Sequence, residues 1–274
     1  MKPLRFRTPV LAAVSIVVAL APPLPVAQAA PSCHGHRATI VGTGGRDRLQ
    51  GRPRRDVIVA FGGADRVLAG GGNDIVCAGL GTDVISGGSG IDVLDGQGDD
   101  DKLSGGRGND WLIGADGDDR QMGGLGKDHL LGSPGNDDLD GGGSHDSVSY
   151  VDAPAIHLDL KKGKATGWGS DSLARIERVN GSGHADDTLV GTRGADTFVG
   201  GGGADLLRGR GGNDRLVGAR GDDHLLAGGG NDRLFGNIGN DHLDGGPGND
   251  HGNGGQGKDS CTHVEGNRRN CERR

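Results

Sequence analysis

The chain has 274 residues, of which 59 are glycine and only 3% are aromatic, and its formal net charge is −7. This composition excludes a single large hydrophobic core of the usual kind. The acidic balance argues against nucleic acid as a partner. We therefore expect a disordered chain, a fibrous chain or an array of repeats, and the periodicity of the sequence decides among them.

The first 29 residues have the features of a secretory signal peptide. Three basic residues precede a 12-residue apolar run over residues 10–21, and Ala27-Gln28-Ala29 fits the small-x-small cleavage rule. An apolar run of this length is too short to cross a bilayer. The sequence predicts cleavage after Ala29 and a secreted, extracellular chain with no membrane span. Loss of the three basic residues changes the net charge from −7 to −10.

A nine-residue period follows a predicted N-terminal cap over residues 30–41. Asp recurs every nine residues through twelve nonads, residues 42–149, and again through nine nonads, residues 182–262. Two places after the Asp stands Leu, Ile, Val or Phe in 18 nonads, and the exceptions are Gln121, Gly252 and Cys261. A low-complexity linker would not keep both the aspartate and the aliphatic residue in phase.

Each nonad combines a glycine turn with a short strand. Glycine reaches the positive φ angles of tight turns at little cost, and the last three residues suffice for a strand whose middle side chain points inward. If two nonads form one coil, residues 18 apart lie one above the other, about 4.8 Å apart. The pattern predicts an all-β fold, a parallel β-roll (a β-solenoid) in two blocks.

The same stacking places the aspartates in columns. Carboxylates about 5 Å apart repel one another, and glycine turns leave carbonyl oxygens without partners. A hard divalent cation such as calcium, which takes six to eight oxygen ligands, removes both problems. We predict several calcium ions and no other cofactor. The predicted metal ligands are Asp65, Asp74, Asp83, Asp92, Asp101, Asp110, Asp119, Asp128, Asp137, Asp196, Asp205, Asp214, Asp223, Asp232, Asp241 and Asp250.

The nine-residue repeat, or word, has the pattern G-G-x-G-x-D-x-U-x, where U is a large aliphatic residue. It resembles the calcium-binding nonapeptide of the RTX (repeats-in-toxin) family. Good matches are GGSGIDVLD (87–95), GGRGNDWLI (105–113), GGLGKDHLL (123–131), GGGGADLLR (200–208) and GNIGNDHLD (236–244). The resemblance implies a parallel β-roll in which calcium lies between the turns of adjacent coils. It also implies that Asp carboxylates and backbone carbonyls are the ligands.

Some words depart from this pattern. GRPRRDVIV (51–59) has arginine where a turn glycine belongs, so the first coil is expected to carry its own cations and to bind no metal. Asp99 and Ser144 replace the glycine at the fourth position of their words. We therefore expect Asp101 to be a weaker ligand and Asp146 to end its column.

Residues 150–181 lie outside the period and form an insert. Its run AIHLDL alternates as a strand does. We expect wider, calcium-free coils that continue the same solenoid, and two rolls joined by a hinge are the alternative. Near the other end, GGPGNDHGN (245–253) lacks its aliphatic residue, which predicts fraying before a C-terminal cap over residues 263–274.

Four cysteines in a secreted chain predict two disulfides, for which three pairings exist. Cys77 lies two coils, roughly 10 Å, above the start of the array, within reach of the segment that carries Cys33. Cys271 follows Cys261 by ten residues. We predict the pairs Cys33–Cys77 and Cys261–Cys271, each holding a cap over an exposed strand edge.

The functional prediction is a secreted calcium-binding repeat protein that folds on binding Ca²⁺ and serves as a structural or adhesive rod. Calcium is the predicted partner, with cell-surface or extracellular-matrix components as candidates. No enzyme is expected. Ser144-His145-Asp146 is not a triad, because adjacent residues cannot face one another, and no stretch outside the nonads is long enough for a catalytic domain. The alternative is an RTX accessory or degenerate module of a secreted hydrolase or epimerase family.

Overall fold

Backbone pairing between successive coils builds the fold. A computed structural model describes residues 30–264 and 268–271, and the regular elements in this part of the chain are all β-strands. They belong to one unit, Pro31–Arg274. No helix capable of spanning a membrane occurs among the residues that the structure describes. The predicted signal peptide, residues 1–29, lies outside the described residues, as does part of the predicted C-terminal cap.

The strands are short and numerous. In chain order they are β1 (Ser32–Cys33), β2 (His36–Arg37), β3 (Ile40–Val41), β4 (Arg48–Gln50), β5 (Val57–Val59), β6 (Arg66–Gly71), β7 (Ile75–Leu80), β8 (Val84–Ser89), β9 (Val93–Gly98), β10 (Lys102–Arg107), β11 (Trp111–Asp116), β12 (Arg120–Leu125), β13 (His129–Leu131), β14 (Asp138–Gly143), β15 (Ser147–Ser149), β16 (His157–Asp159), β17 (Lys164–Thr166), β18 (Ser170–Ala174), β19 (Arg178–Asn180), β20 (Thr188–Val190), β21 (Thr197–Gly202), β22 (Leu206–Gly211), β23 (Arg215–Arg220), β24 (His224–Gly229), β25 (Arg233–Ile238), β26 (His242–Asp244), β27 (His251–Gln256), β28 (Ser260–Thr262) and β29 (Arg268–Arg269).

These strands form two long sheets and one small antiparallel hairpin, β1–β2. The 14-stranded sheet has the order β28-β26-β24-β22-β20-β16-β17-β18-β14-β12-β10-β8-β6-β4. The 13-stranded sheet has the order β29-β27-β25-β23-β21-β19-β15-β13-β11-β9-β7-β5-β3. Within the repeats the chain alternates between the two sheets, so that each coil contributes one strand to each.

The repeat strands pair in parallel with partners 18 residues away. Ile85 lies opposite Leu103 in the 14-stranded sheet, and Leu94 lies opposite Leu112 in the 13-stranded sheet. Two nonads therefore make one coil, and the predicted fold class, an all-β parallel β-solenoid, is confirmed.

Most repeat strands have six residues instead of the predicted three. β8 continues past its aliphatic residue into the glycines of the next word, where Gly88 pairs with Gly106 of the next coil. Buried backbone N–H and C=O groups need partners, and the neighbouring coil offers them to the glycines as well. The pairing of the coils is thus more extensive than three residues per nonad.

A narrow column of apolar side chains lies between the two sheets. Leu94, Leu112 and Leu130 are fully buried in it. Gln121 occupies the same inward position, and its amide nitrogen donates to the carbonyl oxygen of Leu131 at 2.9 Å while its Oε1 has no hydrogen-bond partner. The expected local defect in the core is therefore one unsatisfied oxygen atom.

The repeat GGPGNDHGN (245–253), which has no aliphatic residue, still forms a strand of the 13-stranded sheet. β27 pairs with β25 at five residues and with β29 at two, so this strand is held on both sides where fraying was expected. Val264 fills the inward space, because its two methyl carbons lie 3.3 Å from the point where a Cβ on Gly252 would stand. The side chain of Val264 therefore takes the place of the aliphatic side chain that Gly252 lacks.

The insert, residues 150–181, joins the two blocks of repeats through both sheets. In the 13-stranded sheet β19 pairs in parallel with β15 and β21. In the 14-stranded sheet β18 pairs with β14 in parallel, β17 runs antiparallel between β18 and β16, and β16 pairs in parallel with β20. The insert therefore adds a hairpin excursion to one sheet and a single strand to the other.

Two disulfides tie the peripheral segments to the coils. Cys33 is bonded to Cys77, and Cys261 is bonded to Cys271. Both predicted pairs are confirmed. Cys33 and Cys77 are buried in a small second apolar cluster with Val57, Val59 and Ile75 on the outer side of the 13-stranded sheet.

Candidate metal sites between the coils

Most repeat aspartates bridge two coils through one carboxylate oxygen. The backbone N–H of Asp74 donates to Oδ1 of Asp92 at 2.8 Å, and the N–H of Asp92 donates to Oδ1 of Asp110 at 2.9 Å. The same bond recurs through both blocks between aspartates 18 residues apart. The stacking of the aspartates in columns is thus present, and the backbone of the preceding coil fixes one oxygen of most of these carboxylates.

The second carboxylate oxygen, Oδ2, is buried without a partner in most of the words. Native proteins leave few buried polar atoms unpaired, and each exception calls for an explanation. Oδ2 is buried and has no hydrogen-bond partner in Asp65, Asp74, Asp83, Asp92, Asp101, Asp110, Asp119, Asp128, Asp146, Asp205, Asp214, Asp223, Asp232, Asp241 and Asp259. Thirteen of these fifteen are predicted ligands, and Asp146 and Asp259 are additional.

The φ angle of the second residue in the nine-residue repeat, which we also call a word, distinguishes these aspartates from the others. We number the word from 1 to 9, so that in GGSGIDVLD Gly87 is first, Gly88 second and Asp92 sixth. In all fifteen of these words, and in the word of Asp250, the second residue has positive φ, and we call these open turns. The residues are Phe61, Gly70, Gly79, Gly88, Gln97, Gly106, Ala115, Gly124, Gly142, Gly201, Arg210, Ala219, Gly228, Asn237, Gly246 and Gly255.

In four of the remaining five words the second residue lacks positive φ, and its N–H donates to Oδ2 of the aspartate; in the fifth, the word of Asp187, the N–H of Ser182 makes this bond. We call these closed turns. The donor–acceptor pairs are Thr43–Asp47 at 2.6 Å, Arg52–Asp56 at 2.7 Å, Ser133–Asp137 at 3.4 Å, Ser182–Asp187 at 2.6 Å and Thr192–Asp196 at 2.7 Å. A hydrogen bond within the turn takes up the oxygen that open turns leave unpaired. Of the predicted ligands, Asp137 and Asp196 stand in closed turns.

Open turns keep their geometry even where the second residue is not glycine. Non-glycine residues at positive φ cost roughly 1–2 kcal/mol each. The six such residues at this position are Phe61, Gln97, Ala115, Arg210, Ala219 and Asn237. Strain of this kind persists where the surrounding structure enforces it, and it concentrates at functional sites. An unfavourable backbone conformation thus coincides with an unpaired carboxylate oxygen in these six turns.

Oxygen atoms from two coils lie close together beside the first glycine of several turns. A Cβ added to Gly123 would lie 2.5 Å from Oδ2 of Asp128 and 2.5 Å from the carbonyl oxygen of Gly141, which belongs to the next coil. Gly105 and Gly236 in open turns, and Gly191 in a closed turn, meet the equivalent pair of oxygens. A carboxylate and a backbone carbonyl are hard oxygen donors of the kind that calcium binds. In open turns the carboxylate oxygen of this pair has no hydrogen bond within the turn, so the donor set there fits calcium.

Burial perturbs the acid–base properties of these carboxyl groups. Removal from water, together with neighbouring carboxylates of the same column, raises the pKa of Asp92 to about 7 and that of Asp101 to about 8. The same causes raise the pKa of Asp214 to about 7. A buried carboxylate with no countercharge favours its protonated form. The columns therefore have a deficit of positive charge at neutral pH.

The repeats match one protein-family model, described as RTX calcium-binding nonapeptide repeat (4 copies). The matched residues are 41–76, 78–112, 113–148, 183–216, 190–225, 208–243 and 226–261. The chain belongs to this RTX family. A comparison with curated proteins found no match. The repeat that the model describes binds calcium and is not catalytic by itself.

Two of the RTX words that depart from the consensus nevertheless form open turns. Asp99 takes the place of the fourth glycine at φ 71°, and its carboxylate accepts a bond from the N–H of Gly81 at 2.9 Å. Asp101 in the same word has the unpaired Oδ2 of the regular words. Asp146 does not end its column, because its N–H donates to Oε2 of Glu177 at 2.9 Å.

The first coil supplies its own cation. The guanidinium of Arg52 forms an ion pair and hydrogen bonds with Asp56, and these contacts lower the pKa of Asp56 to about 2. Thr39 donates a further bond to the same carboxylate at 2.9 Å. The carboxylate of Asp56 therefore has partners for both oxygens.

The insert continues an RTX aspartate column with a different partner. The N–H of Asp137 donates to Oδ1 of Asp171 at 3.1 Å, as one repeat aspartate does to the next. The buried hydroxyl of Tyr150 donates to Oδ2 of Asp171 at 2.7 Å. A phenol thus pairs with the oxygen that open turns leave free. Sequence reasoning missed Asp171 and Glu177, although Leu173 and Val179 follow them at the spacing of the repeat word.

The start of the second block is shifted by one residue. A Cβ on Gly181 would meet Oδ2 of Asp187 and the carbonyl oxygen of Gly200, which is the environment of a first-position glycine. Ser182 then takes the second position and closes the turn. The turn before Asp187 accordingly begins at Gly181, whereas the period of nine placed its start at residue 182, and it contains one extra residue.

Proposed function

We propose that this protein is a secreted, calcium-binding rod that completes its fold when ions enter the open turns. The observation that carries the proposal is the set of fifteen buried carboxylate oxygens without a hydrogen-bond partner in the described part of the chain. A buried unsatisfied polar group costs about 1–3 kcal/mol, and more when it is charged. A column of such groups therefore calls for a compensating cation.

The aspartates of the open turns are the proposed ligands, together with the first-position carbonyl of the next coil. When bound, calcium supplies the positive charge and accepts several oxygen ligands at once. Asp137 and Asp196 are left out of the proposed set because their Oδ2 atoms already accept hydrogen bonds. Asp146 and Asp259 are added because their Oδ2 atoms are buried and unpaired.

Calcium-dependent folding follows from this arrangement. An ion that binds the folded chain and not the unfolded one stabilises the fold in proportion to the logarithm of its concentration. Extracellular calcium modules operate at about 10⁻⁴–10⁻³ M, so the chain would remain unfolded at cytosolic calcium levels and fold outside the cell. Two disulfides support an oxidising compartment.

A structural or adhesive role suits the folded chain. Outward side chains of each sheet recur with every coil, so the two sheets present long surfaces of regularly spaced groups. The family model that matches this chain describes a calcium-binding repeat. We therefore propose a rod whose folding is controlled by calcium and whose faces make contacts outside the cell.

Circular dichroism during a calcium titration tests this proposal. The oxidised chain without residues 1–29 is treated with EGTA, and calcium is then added back at constant ionic strength. We expect a β-sheet spectrum to appear cooperatively with calcium. Magnesium, which requires a stricter octahedral geometry, should give a weaker response at the same concentration. A spectrum and melting curve that are unchanged by EGTA would overturn the proposal.

A further inference from the structure

The outer face of the 13-stranded sheet in the second block is free of acidic residues. Strands β19, β21, β23, β25 and β27 contain no Asp or Glu, although the chain as a whole has a net charge of −7. The seventh position of successive words forms a column across these strands. Its members are Arg178, Thr197, Arg215, Arg233 and His251.

Two arginines of this column lie directly opposite one another. Arg215 pairs in register with Arg233, and both side chains are exposed. Like charges directly opposite on neighbouring strands destabilise a sheet. Neither guanidinium forms an ion pair with another described residue. The preceding Asp214 and Asp232 cannot compensate from this face, because their carboxylates are buried between the coils.

A shallow groove of about 370 Å³ lies on this face. Its lining includes Arg215, Arg233, Phe235, His251 and Asn253. The guanidinium carbon of Arg215 stands 4.3 Å from the centroid of the Phe235 ring, a cation–π contact that orients the guanidinium. The groove therefore combines oriented cations, an aromatic ring, an imidazole and a side-chain amide within one concave surface.

These groups match the parts of an acidic sugar. A guanidinium binds a carboxylate or sulfate through two parallel hydrogen bonds. The amide of Asn253 and the imidazole of His251 can donate to or accept from hydroxyl groups. The ring of Phe235, over which the guanidinium of Arg215 stands, holds that cation in place for such a contact. A simple phosphate chain would engage the arginines and leave the amide of Asn253 without a hydroxyl partner.

We propose that this groove binds an acidic sugar of an extracellular polysaccharide. The inference deepens the proposed adhesive function and rests on it, because the groove exists only in the folded roll. Successive strands are about 4.8 Å apart, so the cations of the column repeat along the direction in which a linear polymer would lie. The negative charge of the ligand compensates the positive charges of Arg215 and Arg233, which face one another on neighbouring strands.

A pair of matched double variants tests the assignment. R215Q/R233Q removes both groove cations. R48Q/R66Q removes another exposed arginine pair in direct register, on the 14-stranded sheet of the first block. Calcium-loaded circular dichroism is recorded first for each protein, so that a failure to fold is separated from a failure to bind. If the groove variant does not fold, the single substitution R233Q replaces it in the comparison.

Binding is then measured by biolayer interferometry with short dextran sulfate, unsulfated dextran and polyphosphate. We expect the folded parent protein to bind dextran sulfate in preference to the other two probes. R215Q/R233Q should bind it about tenfold more weakly, a loss of about 1.4 kcal/mol, and R48Q/R66Q should bind like the parent. Equal losses in both variants, no binding by the folded parent, or preference for polyphosphate would overturn the proposal.

Discussion

Replacing one carboxylate in an open turn should reduce the dependence of stability on calcium. In Asp92→Asn the side chain keeps its shape, and its oxygen can still accept the bond from the N–H of Asp74, now 2.8 Å long. The substitution removes the charge at Oδ2, the atom that has no partner in the structure. No cavity forms, so the effect reports on the ion and not on packing.

The size of the effect follows from linkage. One ion present at 100 times its dissociation constant contributes about 2.7 kcal/mol to the free energy of unfolding. Each tenfold increase in calcium adds about 1.4 kcal/mol for every ion bound. Asp92→Asn should therefore lower stability by roughly 3 kcal/mol in saturating calcium. It should also reduce the gain per tenfold increase in calcium by about 1.4 kcal/mol for each ion lost.

A closed turn provides the matched control. Oδ2 of Asp196 accepts bonds from the N–H and the hydroxyl of Thr192, at 2.7 and 3.0 Å. Asp196→Asn should cost about 1–3 kcal/mol, because the substituted amide leaves these donors unsatisfied. This cost should be the same at every calcium concentration.

The assay is urea unfolding followed by circular dichroism at two calcium concentrations tenfold apart, both high enough to keep the parent folded. The free energy of unfolding is compared between the two concentrations for the parent and both variants. An Asp92→Asn protein with the full calcium dependence of the parent would refute the assignment of open turns as ion sites. So would a reduced dependence in Asp196→Asn.

Three further predictions concern pH, the insert and the core. Burial raises the pKa of Asp101 to about 8 and that of Asp214 to about 7, above the ordinary value of about 4. The calcium-free roll should therefore be most stable below about pH 4 and lose stability as pH rises to about 8; circular dichroism in EGTA checks this, and structure that increases with pH would contradict it. Tyr150→Phe leaves Oδ2 of Asp171 unpaired and should lower the free energy of unfolding by about 1–3 kcal/mol, equally at low and high calcium; a calcium-dependent loss would argue against the phenol as a substitute for an ion. Gln121→Leu removes a buried unpaired oxygen and should raise that free energy by about 1 kcal/mol, whereas a lower melting temperature would show that the amide is required.

The arrangement of coils could be read from the sequence because it follows directly from the period. Asp and aliphatic residues recur every nine positions, so a coil of two words brings Leu94 over Leu112 without further information. The Cys33–Cys77 disulfide followed from the same geometry, since the number of coils fixes how far Cys77 lies from the N-terminal segment. The six-residue length of the strands could not be read in this way, because glycine carries no side chain that alternates.

The division into open and closed turns was missed because one backbone angle decides it. Gln97 and Ala115 adopt positive φ at the second position, whereas Thr192 does not. A β-branched residue is strongly disfavoured at positive φ, and serine or threonine readily bonds to a neighbouring Asp in a turn. Ser or Thr at the second position is therefore a usable signal for a closed turn in this chain.

The contacts of the insert depend on residues far apart in the sequence. Tyr150 and Asp171 are separated by 21 positions and meet only because β18 takes the place of the next coil beside β14. Neither the period nor the local alternation of AIHLDL indicates this return of the chain. The phenol–carboxylate pair could therefore not be predicted from residue spacing.

Hydrogen exchange followed by mass spectrometry, with and without calcium, tests the central claim most directly. Strands β16–β20 adjoin closed turns and the Tyr150–Asp171 pair, whereas β8–β11 and β22–β25 adjoin open turns. In EGTA we predict that the amides of β8–β11 and β22–β25 lose their protection while those of β16–β20 retain part of theirs, and that calcium restores protection throughout. Uniform protection of all three groups of strands in EGTA would contradict the claim that ions complete this fold.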